Sequence, residues 1–375
     1  MMDIDDMVSL WISQISGIGP VGRKILKSVF GSEKNMFLAG EDEIKRRLLI
    51  YNHTGMIDHS IQKKRYIIPE NIIKDLTDTE KKLKIRDEAS RLMKKGISLY
   101  RTEDEGYPDR LRHIKNPPDQ LFVIGSLPDP DTAAIAIIGA RNCTPYGRDM
   151  ARMFGYRLAE AGVNVISGMA IGIDGWSHRG AIEAGGRTYA VLGSGVEVCY
   201  PPANEKLYNT IPERGGIISE YPTGYGAMPV NFPMRNRIIS GLSDGILVVE
   251  ARMRSGSLIT VDFALDQGKD VFVIPGRIGD ELSVGCNRLI RQGAIPVLTP
   301  DDILEYYNIE IKAEKTNELD ADENRIYSMI GEKPVGIMKI AQNAQGSLAN
   351  TISIISGLKK RGFIREVAKD QYIRC

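Results

Sequence analysis

Cysteine and histidine are scarce in this chain, four of each in 375 residues. Cys143, Cys199, Cys286 and Cys375 form no CxxC pair and have no histidine at ligand spacing. This argues against zinc and against a disulfide framework, and it suits a reducing compartment. No apolar run is long enough to span a bilayer, and the acidic N-terminal stretch lacks a charged leader followed by an apolar core, so a cytoplasmic protein without membrane contact is expected. Net charge is scarce too: 49 Lys plus Arg stand against 48 Asp plus Glu, giving +1. Any affinity for nucleic acid must then come from a local basic patch, not from a global field. A dinucleotide fingerprint is also missing. Neither Gly139-Ala-Arg-Asn-Cys143 nor Gly168-Met-Ala-Ile-Gly172 reads G-x-G-x-x-G, and no ribose-binding acid is evident, so neither NAD nor any other cofactor is expected.

What the chain does have is enough apolar residues, 42%, for a sizeable core, and a length that implies two or three domains. Between about residues 97 and 297, short apolar runs alternate with helix-length segments. Ala134 to Ile138, Val163 to Ile166, Thr188 to Leu192, Ile217 to Ser219, Ile246 to Val249, Val271 to Ile274 and Ala294 to Val297 read as buried parallel strands with crossover helices. On such a sheet the loops beyond the strand carboxyl ends share one edge, where ligands collect. Gly139, Gly168, Gly172, Gly193, Gly195 and Gly256 fall on those loops, where backbone amides and helix N-termini can approach an anion. Arg141, Arg235, Arg237 and Arg254 stand around the same edge with Phe232 beside them, a combination of phosphate forks and a stacking ring that suits single strands.

Several motifs occur in order: YPDRLRHIKNPPDQLFVIG from Tyr107, IIGARNCTPYG from Ile137, ISGMAIGIDGWSH from Ile166, then FPMRNRIISGLSDGILVVEA, RSGSLIT and VFVIPG between Phe232 and Gly276. Together they resemble the DprA/Smf family, DNA-processing proteins that bind single-stranded DNA and deliver it to the RecA recombinase. The resemblance covers roughly residues 97 to 295. It implies a Rossmann-like α/β core, a homodimer, a RecA partner, no enzymatic activity and a role in natural transformation. It also carries a DNA-pocket role over to Arg141, Phe232, Arg254, Ser255 and Gly256. Ser167, Gly168, Gly172 and Arg235 complete the expected interface, although an arginine in such a helix also serves to tie loops to carboxylates such as Glu220 or Glu250. That tying role is the one favoured for Arg237.

The expected flanks are a helical domain over 1–70, before the Rossmann-like DNA-binding domain of 71–309, then a linker over 310–322 and a winged helix over 323–375. The first resembles a helix-hairpin-helix, or SAM-like, unit, in which Gly17 and Gly19 would free amides for a phosphate; the alternative is a turn that merely packs on the next domain. In the last, the third helix is basic only at Lys359, Lys360 and Arg361, which supports groove reading poorly and favours protein contact. Two enzymatic readings remain open. Asp174 and His178, four residues apart, could form an acid-base pair, although a helix-capping Asp174 and a His178 filling a polar slot are favoured. On the same fold, Lonely Guy and lysine-decarboxylase-like enzymes process nucleoside monophosphates, which would make Glu250 and Arg254 catalytic candidates. Those relatives usually show a PGGxGT-like loop where this chain has Arg254-Ser-Gly-Ser-Leu-Ile-Thr260.

Overall fold

The computed structural model describes residues 3–15, 17–18, 20–54, 67–309, 319–331, 333–344, 347–360, 363–368 and 370–374. Gly19, most of the expected linker and Arg361 lie outside them. The chain divides into two compact units, Met1–Ile311 and Lys312–Cys375.

The first unit is built on a nine-stranded sheet. In chain order its strands are β1 Ile97–Arg101, β2 Gln120–Gly125, β3 Ala134–Ile138, β4 Asn164–Ser167, β5 Thr188–Val191, β6 Gly216–Ser219, β7 Gly245–Val248, β8 Asp270–Val273 and β9 Ile295–Pro296. They lie side by side as β1-β2-β6-β5-β4-β3-β7-β8-β9. The seven from β6 to β9 in that order are parallel, while β1 and β2 pair antiparallel at one edge. The core is therefore α/β with a mostly parallel sheet, as the alternation predicts, and Rossmann-like, as the resemblance implies.

Every residue of β3 is buried, because helices cover both faces of the sheet. The strand period of two then sorts its side chains. Ala134, Ala136 and Ile138 join a core with Ile238, Ile239, Leu242 and Val261, whereas Ile135 and Ile137 join one with Phe154, Leu158, Ile173 and Ala181. The N-terminal helices do not close a core of their own. Trp11, Leu26, Phe30, Leu48, Ile72 and Leu92 are continuous with Phe122, Ala190, Leu207 and Ile217 of the sheet region. Polar ties reinforce that contact: the Ser9 hydroxyl donates to Gln120 Oε1 at 2.5 Å, and Arg23 pairs with Asp119 at 3.2 Å. Among the described residues, no helix is long and apolar enough to cross a membrane.

The strand order fixes where a ligand can sit. From β3 the chain winds outward through β4, β5 and β6, then returns to place β7 on the other side of β3. The loops after β3 and β7 must therefore leave in opposite directions. A crevice opens between them, the usual binding position on sheets of this kind.

The second unit holds helices Ala321–Met329, Ile337–Asn343 and Leu348–Lys360, followed by β11 Ile364–Ala368 and β12 Gln371–Arg374; β10, Val335–Gly336, precedes the second helix. The three strands pair antiparallel in the order β10-β12-β11. Ile326, Ile330, Ile340, Ile355, Leu358, Ile364 and Tyr372 fill a small separate core.

Candidate functional site

A cleft of about 540 Å³ occupies the crevice beyond β3 and β7. Gly139 to Asn142 form one wall, Arg252 to Ser257 the facing wall, and Phe232, Arg235 and Asn236 of the helix Asn231–Gly241 the floor, with Tyr200 and Ala170 closing one side. The lining carries four arginines (Arg141, Arg235, Arg252, Arg254) and one carboxylate, Asp174. On a chain of net charge +1, this is the local positive field that composition could not show.

Local folding explains each wall. After β3 the chain turns sharply into the helix Pro145–Glu160, whose N-cap Thr144 accepts a bond from the Gly147 amide at 3.0 Å. The next strand's loop passes beneath this turn at Gly172, with φ +86°, where an added Cβ would lie 2.3 Å from the carbonyl oxygens of Ala140 and Arg141. Only glycine fits so close an approach, so Gly172 sets the height of the Arg141 loop without lining the cleft. On the facing wall, Ser255 caps the helix Gly256–Asp266, and space around Gly256 is open, leaving that helix N-terminus facing the cleft.

The arginines fall into two kinds. Arg141 and Arg254 are exposed, and neither has a carboxylate within ion-pair distance among the described residues. The Arg141 guanidinium carbon lies 5.6 Å from the centroid of the half-buried Phe232 ring, and that ring packs against Tyr200 with centroids 5.4 Å apart. With the two ring planes inclined by 32°, this gives a cation and two packed aromatic rings at the mouth of the crevice.

Arg235, by contrast, is buried. Its Nη1 donates to the Gly168 carbonyl at 2.9 Å and also to that of Val191, so it ties the ends of β4 and β5 to the floor helix. Burial pulls its pKa down to about 10, opposed by Asp174, and it stays charged at neutral pH. Asp174 accepts the Gly168 amide at 3.2 Å; burial pushes its carboxyl up, and Arg235 holds it down. Arg237 is fully committed, forming a fork to Glu220 at 2.6 and 2.7 Å and donating from Nε to the Asn116 carbonyl at 2.9 Å. The partner is Glu220, not Glu250.

Other expected site residues lie elsewhere. Ser167 is fully buried and donates to the Ile137 carbonyl at 2.6 Å, pinning β4 to β3. Gly17, φ +91°, lines a separate cleft of about 270 Å³ in which Arg23 pairs with Asp119. Glu250 does not line the main cleft. Its carboxylate is buried and accepts the Thr144 amide at 2.9 Å and the Thr144 hydroxyl at 2.5 Å. His178 does not meet Asp174. Its Nδ1 lies 2.6 Å from the Thr188 hydroxyl, which itself donates to the Val165 carbonyl, so the ring nitrogen is the donor. Burial pushes the His178 pKa down to about 3 and keeps the imidazole neutral. Sequence reasoning missed Tyr200, Arg252 and Asn236. Tyr200 reaches Phe232 only because the loop after β5 folds back over the floor, and no spacing in the sequence signals it.

Fold and cleft together define an α/β protein with a cationic, aromatic crevice at the point where its strand order reverses. The profile of the family described as DNA recombination-mediator protein A matches residues 98–308, and the chain belongs to that family. Protein Smf of Escherichia coli is 43% identical over 231 residues, 61% of each chain, so the match spans less than two thirds of that relative. The X-ray structure of DNA processing protein A from Streptococcus pneumoniae superposes with a TM-score of 0.56 at 30% identity, covering 81% of this chain and 98% of that one. A structure of DNA processing protein A from Helicobacter pylori, described with that protein's single-stranded DNA binding mode, gives a TM-score of 0.51 at 28% identity over 56% of this chain and 95% of that one.

Proposed function

We propose that the crevice binds single-stranded DNA in the cytoplasm, without catalysis, and that the protein, as a homodimer, passes the strand to a RecA-type recombinase during transformation. The observation that carries the reading is the pairing of Arg141 and Arg254, which have no ion-pair partner among the described residues, with the Phe232–Tyr200 ring pair. Arginine forks take phosphates, and rings with an exposed face stack any base, which gives affinity without sequence preference. Ser255 and Gly256 would add amides at a helix N-terminus. Gly168, Gly172, Ser167 and Arg235 serve as the frame that holds these groups at their heights. Membership of the family and the single-strand binding described for the Helicobacter pylori protein support the same reading.

In this reading residues 1–70 are a SAM-like helical domain that shares its core with the DNA-binding domain of 71–309. Residues 310–322 are a linker and 323–375 a winged helix used for protein contact; its three helices and small antiparallel sheet support that assignment.

Titrating the protein with a single strand, the matching duplex and a nucleoside monophosphate over a series of salt concentrations tests the reading. The single strand should bind most tightly. If about 3 to 5 phosphates are neutralised, log affinity should fall with log salt at a slope of about −2 to −4. Duplex preference, a salt-independent affinity, or turnover of the monophosphate overturns it.

A further inference from the structure

One helical turn from the cleft, a second group of cations meets an aromatic ring. Trp176 lies half-buried on the helix Ile173–Glu183 and packs against the core beneath it. The Arg179 guanidinium carbon sits 4.3 Å from the indole centroid, and that of Arg148, from the neighbouring helix, 5.6 Å from it. Arg148 also pairs with the exposed Asp149 at 2.9 Å. Arg179 has a long bond to Asn204 Oδ1 at 3.4 Å, and among the described residues no carboxylate comes within ion-pair distance of it. A guanidinium seated over an indole is partly ordered by that contact and loses less side-chain freedom when it meets an anion.

This group is continuous with the cleft along two lines. The Trp176 amide donates to the Gly172 carbonyl at 3.1 Å, and Gly172 itself lies against the Arg141 carbonyl. On the other side, Tyr200 lines the cleft, while Pro202, on the same loop, lines a hollow of about 410 Å³ together with Arg179. Asn204 fastens that loop to the Met169 and Ala170 carbonyls at 2.9 and 3.1 Å. Glu183, held by Arg152 at 2.6 Å, Glu205 and Lys206 also line the hollow, so beyond Arg179 its charge is mixed and a polyanion gains less there.

We propose that Arg179 and Arg148, seated on Trp176, extend the strand path: DNA anchored at Arg141 and Phe232 runs past Ala170 and Tyr200 and places a further phosphate, and the base beside it, on this platform. The extension rests on the reading of the cleft as a single-strand site, and it makes binding depend on strand length.

Two oligothymidylates test it, one of about 5 nucleotides to fill the cleft and one of about 15 to reach the platform, within the range of single-strand site sizes. The chain has two tryptophans, and Trp11 is only 1% exposed in the N-terminal core, so a change in emission on binding reports Trp176. The long strand should quench it and the short one should not. Arg179→Glu should weaken the long strand about tenfold and lower its salt slope by about 1, leave the short strand within about twofold, and keep the thermal melt; Arg179→Lys should recover most of the slope. No quenching by the long strand overturns the proposal. So does an Arg179→Glu loss that is equal for both lengths or absent from both. If Arg141→Glu still abolishes short-strand binding in that case, only the extension falls. If the wild type binds neither strand, the cleft reading falls with it.

Discussion

Two clefts in the first unit hold arginines beside aromatic rings, and their charge balance separates them. In the smaller one, Tyr221 and Tyr225 stack at 5.3 Å beside Arg23 and Arg237, a set that sequence reasoning would rank with any DNA pocket. There each cation is already answered: Arg23 by Asp119 at 3.2 Å and Glu33 at 3.4 Å, Arg237 by Glu220 at 2.6 Å. In the larger cleft Arg252 pairs with Glu281 at 3.2 Å and Arg235 lies beside Asp174, but Arg141 and Arg254 have no ion-pair partner among the described residues. Residue type alone does not make an anion site. A phosphate gains little from a guanidinium whose donors and charge are spent, because binding must first break the internal pair.

The largest effect expected from breaking this contrast comes from Arg141→Glu. It removes a charge-assisted contact worth about 1.5 to 3 kcal/mol and adds repulsion, so single-strand affinity should fall by an order of magnitude or more while the fold persists. Arg141→Ala should lie between that variant and wild type. Fluorescence anisotropy of a labelled strand measures both, and unchanged binding by a folded Arg141→Glu protein would move the site away from this crevice.

Glu220→Gln tests the smaller cleft, and its effect should fall on stability. It leaves Arg237, 4% exposed, without its counter-charge and with one of the two acceptors of the fork replaced by a donor. The cost should be about 2 to 3 kcal/mol, below the usual figure for a fully buried pair because the Glu220 end is partly hydrated. A urea midpoint that barely moves would show that Arg237 is held by its backbone contacts alone. Strand affinity of the folded variant should change by less than about twofold, since this cleft is expected to take no phosphate.

The smallest effect is expected from deleting residues 318–375. The second unit has its own core, and the cleft residues all lie in the first. Affinity for a single strand should remain within about threefold, whereas assembly or transfer to the recombinase should change. Collapse of affinity in a folded truncation would place a phosphate-binding group on the second unit.

The alternation of short apolar runs with helix-length segments was enough to predict a parallel sheet covered on both faces, because burial of a strand is a local property written in consecutive residues. The loops at its edge were equally legible. A glycine such as Gly172 is demanded by its own φ and by the backbone crossing it, and its sequence context shows the turn. The character of each polar side chain was less accessible. Nothing local distinguishes Arg235, whose donors hold two strand ends, from Arg141, whose donors face solvent, since the acceptors lie 44 and 67 residues away from Arg235. In sequence Glu250 is equally suited to catalysis, yet its carboxylate is bonded to Thr144, 106 residues earlier.

The sequence by itself therefore determined the architecture, the edge on which a ligand collects and the kinds of residue brought there, through periodicity and backbone constraints that act over a few residues. Only the tertiary structure decided which of those residues remain available. It brought Tyr200 onto Phe232, turned Glu220 onto Arg237 and, among the described residues, left Arg141 and Arg254 without a carboxylate in ion-pair distance. The physical reason is that hydrogen bonds and ion pairs depend on angstrom-scale distances between groups far apart in the chain, and no local pattern records those distances.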